Sequence, residues 1–323
     1  MLFLGKKPSG DLSLSQVPAL DNPLAWGEDR YHPSATFEEA VDAKLTRRTC
    51  ANLECTTNWI APWRSRRRPI FEDNWGCSGR CVLNVVRAAV RREAAKDTGA
   101  RAIPHRHRVP LGLLLLAQGW ITHAQLQYAL DLQRHNGGRI GEILVNECGL
   151  DADKVTRGLS LQWSAPILGL AGFSAQEMAM VMPSVLIDHL GMLPIRIAGS
   201  RILYLGFEDH LDASIALELE RMTGLKVETG LMPSEEYRSA RTLLQGRQGV
   251  DIRQEPCTEI DAMAARITAI LEQKQPIGSR LVRVGQFYWM RLWLEASAIG
   301  RHGILPSTGE DMFDYIFTIA RPA

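Results

Sequence analysis

A 24-residue pattern occurs twice in the middle of this chain and constrains its fold more than any other feature. The first copy is Pro110–Gln133 and the second is Arg139–Gln162, so the copies start 29 residues apart. Gly112 in the first copy matches Gly141 in the second, and both copies end in glutamine. In the second half of each copy, aliphatic residues recur four positions apart, as expected on one face of a helix. The pattern therefore predicts two stacked helical units of the same design.

The positive charge of the chain is concentrated in one segment that precedes the repeat. Residues 44–108 contain fifteen Lys and Arg against five Asp and Glu, although the whole chain has a formal net charge of only +1. Four of the six cysteines lie in this segment as two close pairs, Cys50 with Cys55 and Cys77 with Cys81. In a reducing compartment, such pairs indicate a metal site rather than disulfides.

The two cysteine pairs are predicted to bind one structural zinc ion. Zn²⁺ prefers four ligands at tetrahedral corners, and two short-spaced pairs bring four thiolates together. The second pair leads into a predicted helix at Val82–Lys96, whose N-terminal dipole favours thiolates. With a predicted hairpin through Trp59–Phe71, this layout is similar to a treble-clef zinc finger. The alternative interpretation is a set of unrelated buried or free cysteines.

The sequence as a whole predicts an α+β multidomain protein. Residues 246–256 are predicted to be a polar linker, and the aromatic stretch Phe287–Trp293 is predicted to be the core of a sheet. The predicted segments are a flexible lead at 1–43, a small treble-clef-like zinc finger module at 44–99, a tandem-repeat helical unit at 105–165, a small α+β sheet unit at 166–245 and a C-terminal α+β segment at 257–323.

The small α+β unit is predicted in more detail because its signals are strong. Two strands are expected on either side of a turn at Gly199-Ser200, and Gly224 is expected to end an amphipathic helix. The predicted elements are strands at Met192–Ile197, Arg201–Gly206 and Lys226–Thr229, with helices at Leu211–Thr223 and at Ser234–Leu244, the second capped by Ser234.

The repeat resembles the tandem motif of the N-terminal domain of type II secretion and type IV pilus assembly ATPases, the MshEN-type domain. That motif is Arg-Leu-Gly, two spacers, two aliphatic residues and a glycine at the tenth place. Leucines follow at the seventeenth and twenty-first places, and glutamine closes the twenty-fourth. The region from Pro183 to Tyr237 is similar to the family's companion α+β unit. The resemblance covers about 140 residues, under half of the chain.

In that family, two such copies form a cyclic di-GMP site, so the resemblance implies the same ligand here. Arginine can pair with phosphate or stack on guanine, and glutamine can hydrogen-bond either group. The first copy has Pro110 in place of the family's arginine, with Arg108 as the candidate substitute, and the second copy has Cys148 in place of the tenth-place glycine. The implied ligand-binding residues are Arg108, Leu111, Gly112, Leu115, Gln133, Arg139, Ile140, Gly141, Leu144 and Gln162.

These features predict a non-enzymatic regulatory or adaptor protein. The sequence contains neither the G-x-x-x-x-G-K-[ST] loop, through which the family's ATPases bind ATP, nor a G-x-S-x-G nucleophile motif. The resemblance implies either cyclic di-GMP binding or docking to secretion or pilus machinery. The alternative function is nucleic-acid binding through the arginine-rich zinc module, where Trp63 precedes four arginines in Arg64–Arg68.

The sequence also predicts a cytoplasmic location. No apolar run approaches the roughly 20 residues that a transmembrane helix needs. The first residues, MLFLG, form too short an apolar stretch for a signal peptide, and lysines follow the stretch rather than precede it.

Overall fold

The computed structural model describes residues 50–56, 70–96, 108–199, 201–208, 210–247, 249–294 and 309–319. The predicted lead at 1–43, most of the predicted hairpin and the arginine-rich stretch Arg64–Arg68 lie outside these residues. Within the described ranges the chain is a mixed α+β protein, as the sequence predicts. No helix in these ranges is long and apolar enough to cross a membrane.

The helices begin and end close to the positions that the sequence predicts. In chain order they are α1 (Gly79–Ala95), α2 (Leu111–Ala117), α3 (His123–Asn136), α4 (Ile140–Cys148), α5 (Ala152–Trp163), α6 (Ala175–Val181), α7 (Ser184–Leu190), α8 (Ala213–Thr223), α9 (Ser234–Gln245) and α10 (Ile260–Lys274). Gly224 ends α8 in the left-handed conformation, as predicted. The predicted cap of α9 is wrong, because Ser234 is its first helical residue and Pro233 holds the capping position.

The strands form three sheets. In chain order they are β1 (Ile70–Phe71), β2 (Asn74–Trp75), β3 (Met192–Ala198), β4 (Ile202–Phe207), β5 (Lys226–Leu231), β6 (Asp251–Cys257), β7 (Gly278–Val284), β8 (Phe287–Trp293) and β9 (Met312–Ile319). β1 and β2 form a hairpin, and β3-β4-β5 form a sheet in which β4 and β5 are parallel. The third sheet has the order β6-β9-β8-β7, with β6 and β9 parallel.

The prediction of a polar linker at 246–256 is wrong for its second half, which is strand β6. This strand lies at the edge of the four-stranded sheet, and most of its side chains are exposed or only partly buried. An edge strand can remain polar because its backbone pairs on one side only. Its sequence therefore lacks the apolar alternation that identifies a strand with one buried face.

The four-stranded sheet is covered on both faces at β8, where every residue is buried. Tyr288 and Met290 belong to a core that is shared with α1 and α10. Phe287 and Trp289 belong to a second core, which is shared with the β3-β4-β5 unit. The zinc-module helix and the C-terminal sheet therefore share one hydrophobic core, and the aromatic stretch is sheet core as predicted.

In the repeat unit, the third-place glycines allow the two helices of each copy to pack closely. A Cβ atom on Gly112 would lie 2.5 Å from the Cδ1 atom of Leu126, and one on Gly141 would lie 2.8 Å from the Cγ1 atom of Val155. Leu126 and Val155 are both the seventeenth residue of their copy. The two copies therefore use the same glycine-to-aliphatic contact, and this packing is sufficient reason for glycine at the third place.

Equivalent residues also start the second helix of each copy. Thr122 and Asp151, both at the thirteenth place, cap α3 and α5 with their side-chain oxygens. The copies differ at the preceding turn, where the left-handed glycine is Gly119 at the tenth place in the first copy and Gly149 at the eleventh in the second. Cys148 is consequently the last residue of α4, and the departure from the motif at the tenth place is a one-residue shift of the turn.

Candidate functional site

The closing glutamine of each copy donates a hydrogen bond to the backbone of the residue that precedes the other copy. The Nε2 atom of Gln133 donates to the carbonyl oxygen of Gly138 at 2.9 Å, immediately before the second copy begins. The Nε2 atom of Gln162 donates to the carbonyl oxygen of Val109 at 2.8 Å, immediately before the first copy begins. Each glutamine therefore holds the start of the other copy next to the end of its own.

Arg108 lies directly before this contact and stacks on an aromatic ring. Its Cζ atom is 3.3 Å from the centroid of the Trp163 ring, and its buried Nη1 atom has no hydrogen-bond partner among the described residues. Burial lowers the pKa of Arg108. The Trp163 ring also makes edge contacts with Phe207 and His210, at centroid distances of 5.7 and 5.5 Å. Arg108 is thus a partly buried cation with an unused donor.

Arg139, the first residue of the second copy, pairs with a carboxylate beyond the repeat. Its Nη1 atom is 3.5 Å from the Oε1 atom of Glu208, which follows strand β4 by one residue. The same carboxylate oxygen is 3.8 Å from the Nη2 atom of Arg238, and Arg238 is 3.4 Å from Glu142 on α4. The Oε1 atom of Glu208 is buried and accepts no hydrogen bond from the described residues.

The two arginines therefore lie near one segment, the end of β4 with the residues after it. Arg139 contacts this segment directly through Glu208, and Arg108 contacts it through Trp163. Two guanidinium groups near one segment suit an anion with two phosphates. In the described residues, the buried polar atoms without a hydrogen bond include Arg108 Nη1 and Glu208 Oε1. Such atoms often mark a site for water or a ligand.

The predicted aliphatic residues of the site lie mainly inside the repeat core. Leu115 and Leu144 are fully buried, and Leu111 is 8% exposed. Ile140 is partly buried at the start of α4. These side chains hold the helices together, and their predicted contact with a ligand remains a prediction.

Three residues near the arginines are not predicted from the sequence. Trp163 directly follows the closing glutamine of the second copy, and this position was the available signal. Glu208 and His210 had no such signal, because their proximity to the repeat depends on how β4 packs against α5.

The four predicted metal ligands lie together. The sulfur atoms of Cys50, Cys55, Cys77 and Cys81 are all within 4.8 Å of one another. The Cys77 sulfur is 3.5 Å from that of Cys55 and 3.6 Å from that of Cys81. A tetrahedral zinc site with Zn–S bonds of about 2.3 Å requires sulfur–sulfur distances of about 3.8 Å. The cluster therefore fits a zinc ion.

The surroundings of the sulfurs favour a thiolate at Cys81 and a protonated thiol at Cys77. Burial acts to raise the pKa of Cys81, but hydrogen bonds with Ser78, Asn52 and Cys77 outweigh it and lower the pKa to about 6. Burial and hydrogen bonds with the neighbouring cysteine side chains raise the pKa of Cys77 to about 12. A set of four thiolates therefore needs a bound cation to offset the mutual repulsion of their charges.

Three arginines of α1, Arg87, Arg91 and Arg92, form ion pairs with carboxylates. Arg87 and Arg91 pair with Asp261 at 2.9 and 3.4 Å. Arg92 pairs with Glu72 at 2.8 Å and with Glu93 on its own helix at 3.1 Å. These guanidinium groups are already matched by carboxylates, so the described residues give no support to the nucleic-acid alternative.

Comparison with known proteins gives one sequence relative and several structural neighbours. No family model matches the chain. The chain is 25% identical to the type IV pilus assembly ATPase PilB of Myxococcus xanthus (strain DK1622) in an alignment 168 residues long, which covers 48% of this chain and 30% of that relative. A structure of MshE with cyclic di-GMP matches 42% of this chain and 98% of its own, with 25% identity and a TM-score of 0.36. The N-terminal domain of XpsE matches 41% of this chain and 92% of its own, with 12% identity and a TM-score of 0.31.

The match to PilB covers slightly less than half of the chain. The predicted resemblance, over the repeat and its companion unit, covers a similar share. PilB is an ATPase, but the chain spans only 30% of its length. This part of the chain is similar to the N-terminal domain of the type II secretion and type IV pilus assembly ATPases.

Proposed function

We propose that this chain is a regulatory or adaptor protein that binds cyclic di-GMP through its tandem repeat. The observation that supports this most strongly is the pair of arginines, Arg108 and Arg139, near the segment that follows β4. Cyclic di-GMP has two phosphates and two guanines. One arginine for each half of the ligand matches this chemistry, since guanidinium groups bind phosphate in a bidentate manner and stack on purines.

The family's motif has a ligand-binding arginine at the position of Pro110. In this chain, Arg108 is assigned that role. Gln162 fixes the backbone of Val109, and Trp163 supports the Arg108 guanidinium from one side. The Nη1 atom is already desolvated, and no described residue hydrogen-bonds to it. A phosphate oxygen would supply the missing acceptor, and little further desolvation of that atom would be needed.

Calorimetric titration with cyclic di-GMP tests this assignment in the wild type and in Arg139→Ala. The proposal expects binding by the wild type and affinity at least about tenfold weaker in the variant, since a charge-assisted hydrogen bond contributes about 1.5–3 kcal/mol. Unchanged affinity in Arg139→Ala would locate the site elsewhere.

We also propose that the protein acts with pilus or secretion machinery and that the cysteine cluster holds a structural zinc ion. The first proposal is supported by the match to a type IV pilus assembly ATPase. It is tested by affinity purification of a tagged chain from its native cells, where recovery of no pilus or secretion component would contradict it. The second is supported by the sulfur–sulfur distances, which suit tetrahedral zinc.

A further inference from the structure

A chain of alternating charges connects the second copy of the repeat to the α+β unit. Glu142 on α4 pairs with Arg238 on α9, and Arg238 also lies near Glu208 after β4. Glu208 in turn pairs with Arg139, the first residue of the second copy. Among these four charged residues, Arg139 is the one that also belongs to the proposed ligand site.

We propose that Glu208 competes with the anionic ligand for Arg139 and thereby sets the affinity of the site. This inference depends on the proposed function, because it assigns the regulation of the same site. The Glu208 side chain is 14% exposed, whereas that of Arg139 is 51% exposed. The carboxylate is fixed in the protein, and the guanidinium is accessible to a ligand.

The geometry of the Arg139–Glu208 pair makes it replaceable. The two atoms are 3.5 Å apart, and within the described ranges the Glu208 oxygen accepts no hydrogen bond. A phosphate can accept two short hydrogen bonds from one guanidinium, which is a stronger interaction. When phosphate replaces the carboxylate, Glu208 keeps Arg238 at 3.8 Å and is not left without a cation. Phosphate can therefore replace Glu208 at Arg139. The free energy of ligand binding is reduced by the free energy of the Arg139–Glu208 ion pair that is lost.

The chain offers a matched pair of substitutions to test this competition. Glu208→Gln keeps the size of the side chain and removes the charge that competes for Arg139. Glu142→Gln removes a charge from the same network at a residue that pairs with Arg238. Cyclic di-GMP is titrated calorimetrically into the full chain of each protein, and far-UV circular dichroism confirms that each is folded.

Competition predicts that Glu208→Gln binds cyclic di-GMP about two- to fivefold more tightly than the wild type, the range expected for one partly exposed ion pair. Glu142→Gln should remain within about twofold of the wild type. Binding by the wild type with equal or weaker binding by Glu208→Gln overturns the competition and leaves the proposed function intact. If Glu208→Gln binds cyclic di-GMP and the wild type does not, Glu208 competes strongly enough to prevent binding. An absence of binding by every folded protein overturns both proposals.

Discussion

The side-chain amide of Gln162 donates a hydrogen bond to the carbonyl oxygen of Val109, 53 residues earlier, at 2.8 Å. The equivalent bond in the other copy joins Gln133 to Gly138. Each bond joins the last residue of one copy to the residue before the other copy begins. The matching spacing of the two copies thus produces a closed pair of units, with the arginines Arg108 and Arg139 beside these two contacts.

Replacement of either closing glutamine should loosen the repeat unit. Gln133→Ala and Gln162→Ala each remove one side-chain-to-backbone hydrogen bond, so each should lower the free energy of unfolding by about 0.5–1.5 kcal/mol. Chemical denaturation measures this change. Gln127→Ala, at an exposed position of α3, is the control and should change the stability by less than about 0.5 kcal/mol. Equal effects at the three positions would show that the two contacts between the copies contribute nothing specific.

Arg108 should matter for the ligand although it lies outside the 24-residue pattern. Arg108→Ala is expected to weaken cyclic di-GMP binding about 10- to 100-fold, because one charge-assisted interaction is lost. Arg157→Ala removes an exposed arginine of α5 in the same unit and should stay within about twofold of the wild type. If both substitutions weaken binding equally, the arginines act through the general charge of the unit and the specific assignment of Arg108 is wrong.

The purified chain should contain about one zinc ion, measured by plasma mass spectrometry. Cys81→Ser should lower the zinc content, whereas Cys148→Ser, which lies outside the cluster, should not. Loss of zinc should also lower the thermal midpoint, because α1 begins at the cluster and shares a core with α10. A metal-free preparation with an unchanged midpoint would contradict the zinc assignment.

The buried pair Arg291–Asp314 should be the most sensitive ion pair of the C-terminal sheet. These residues lie opposite each other on β8 and β9, are joined by two hydrogen bonds of 2.8 and 2.7 Å, and are at most 4% exposed. Arg291→Leu leaves a buried carboxylate without its cation and should cost about 3–5 kcal/mol. The partly exposed pair Arg266–Glu255 has similar hydrogen bonds, and Arg266→Leu should cost about 1 kcal/mol or less. Similar losses at the two sites, measured by chemical denaturation, would contradict this difference.

Glu93 should make the junction of α1 with α8 sensitive to acid. Its carboxylate is fully buried and pairs with Lys96 at 2.6 Å and Arg221 at 3.0 Å. Burial alone would raise the pKa of Glu93, but Arg221 and Lys96 outweigh burial and lower it from 4.5 to about 2. A lowered pKa stabilises the folded state above pH 4.5, by about 3 kcal/mol at this shift. That contribution is lost as the pH falls from about 4.5 towards 2.

Denaturation at several pH values tests this behaviour in the wild type, in Glu93→Gln and in Glu177→Gln, which changes an exposed carboxylate. The stability difference between the wild type and Glu93→Gln should shrink between pH 4.5 and about 2. Glu177→Gln should follow the wild type over the whole range. A difference for Glu93→Gln that does not depend on pH would show that the carboxylate contributes no charge-dependent stability.

Local signals in the sequence predicted the elements of this fold better than their arrangement. The turn at Gly199, the end of α8 at Gly224 and the repeated helices follow from glycine chemistry and periodicity, and the structure confirms them. Strand β6 was missed because a polar edge strand has no buried face. The shared core of α1 and the C-terminal sheet is not predicted, because it brings together residues that are far apart in the sequence, such as Val86 and Met290.

The same distinction applies to the candidate sites. The cysteine spacing predicted the four-sulfur cluster, because metal ligands must be close whatever surrounds them. The repeat predicts Arg139 and the two glutamines as ligand-binding residues, and that role remains a prediction. It did not predict Trp163 or Glu208 as their neighbours, since those contacts arise only when β4 packs beside the repeat.

Equilibrium titration of the full wild-type chain with cyclic di-GMP tests the central claim most directly. The account predicts saturable binding of one cyclic di-GMP per chain, since the two copies form one site, and no comparable binding of GMP, which offers only one phosphate and one base. A folded, zinc-loaded chain that gives no binding signal at high micromolar cyclic di-GMP would contradict the account.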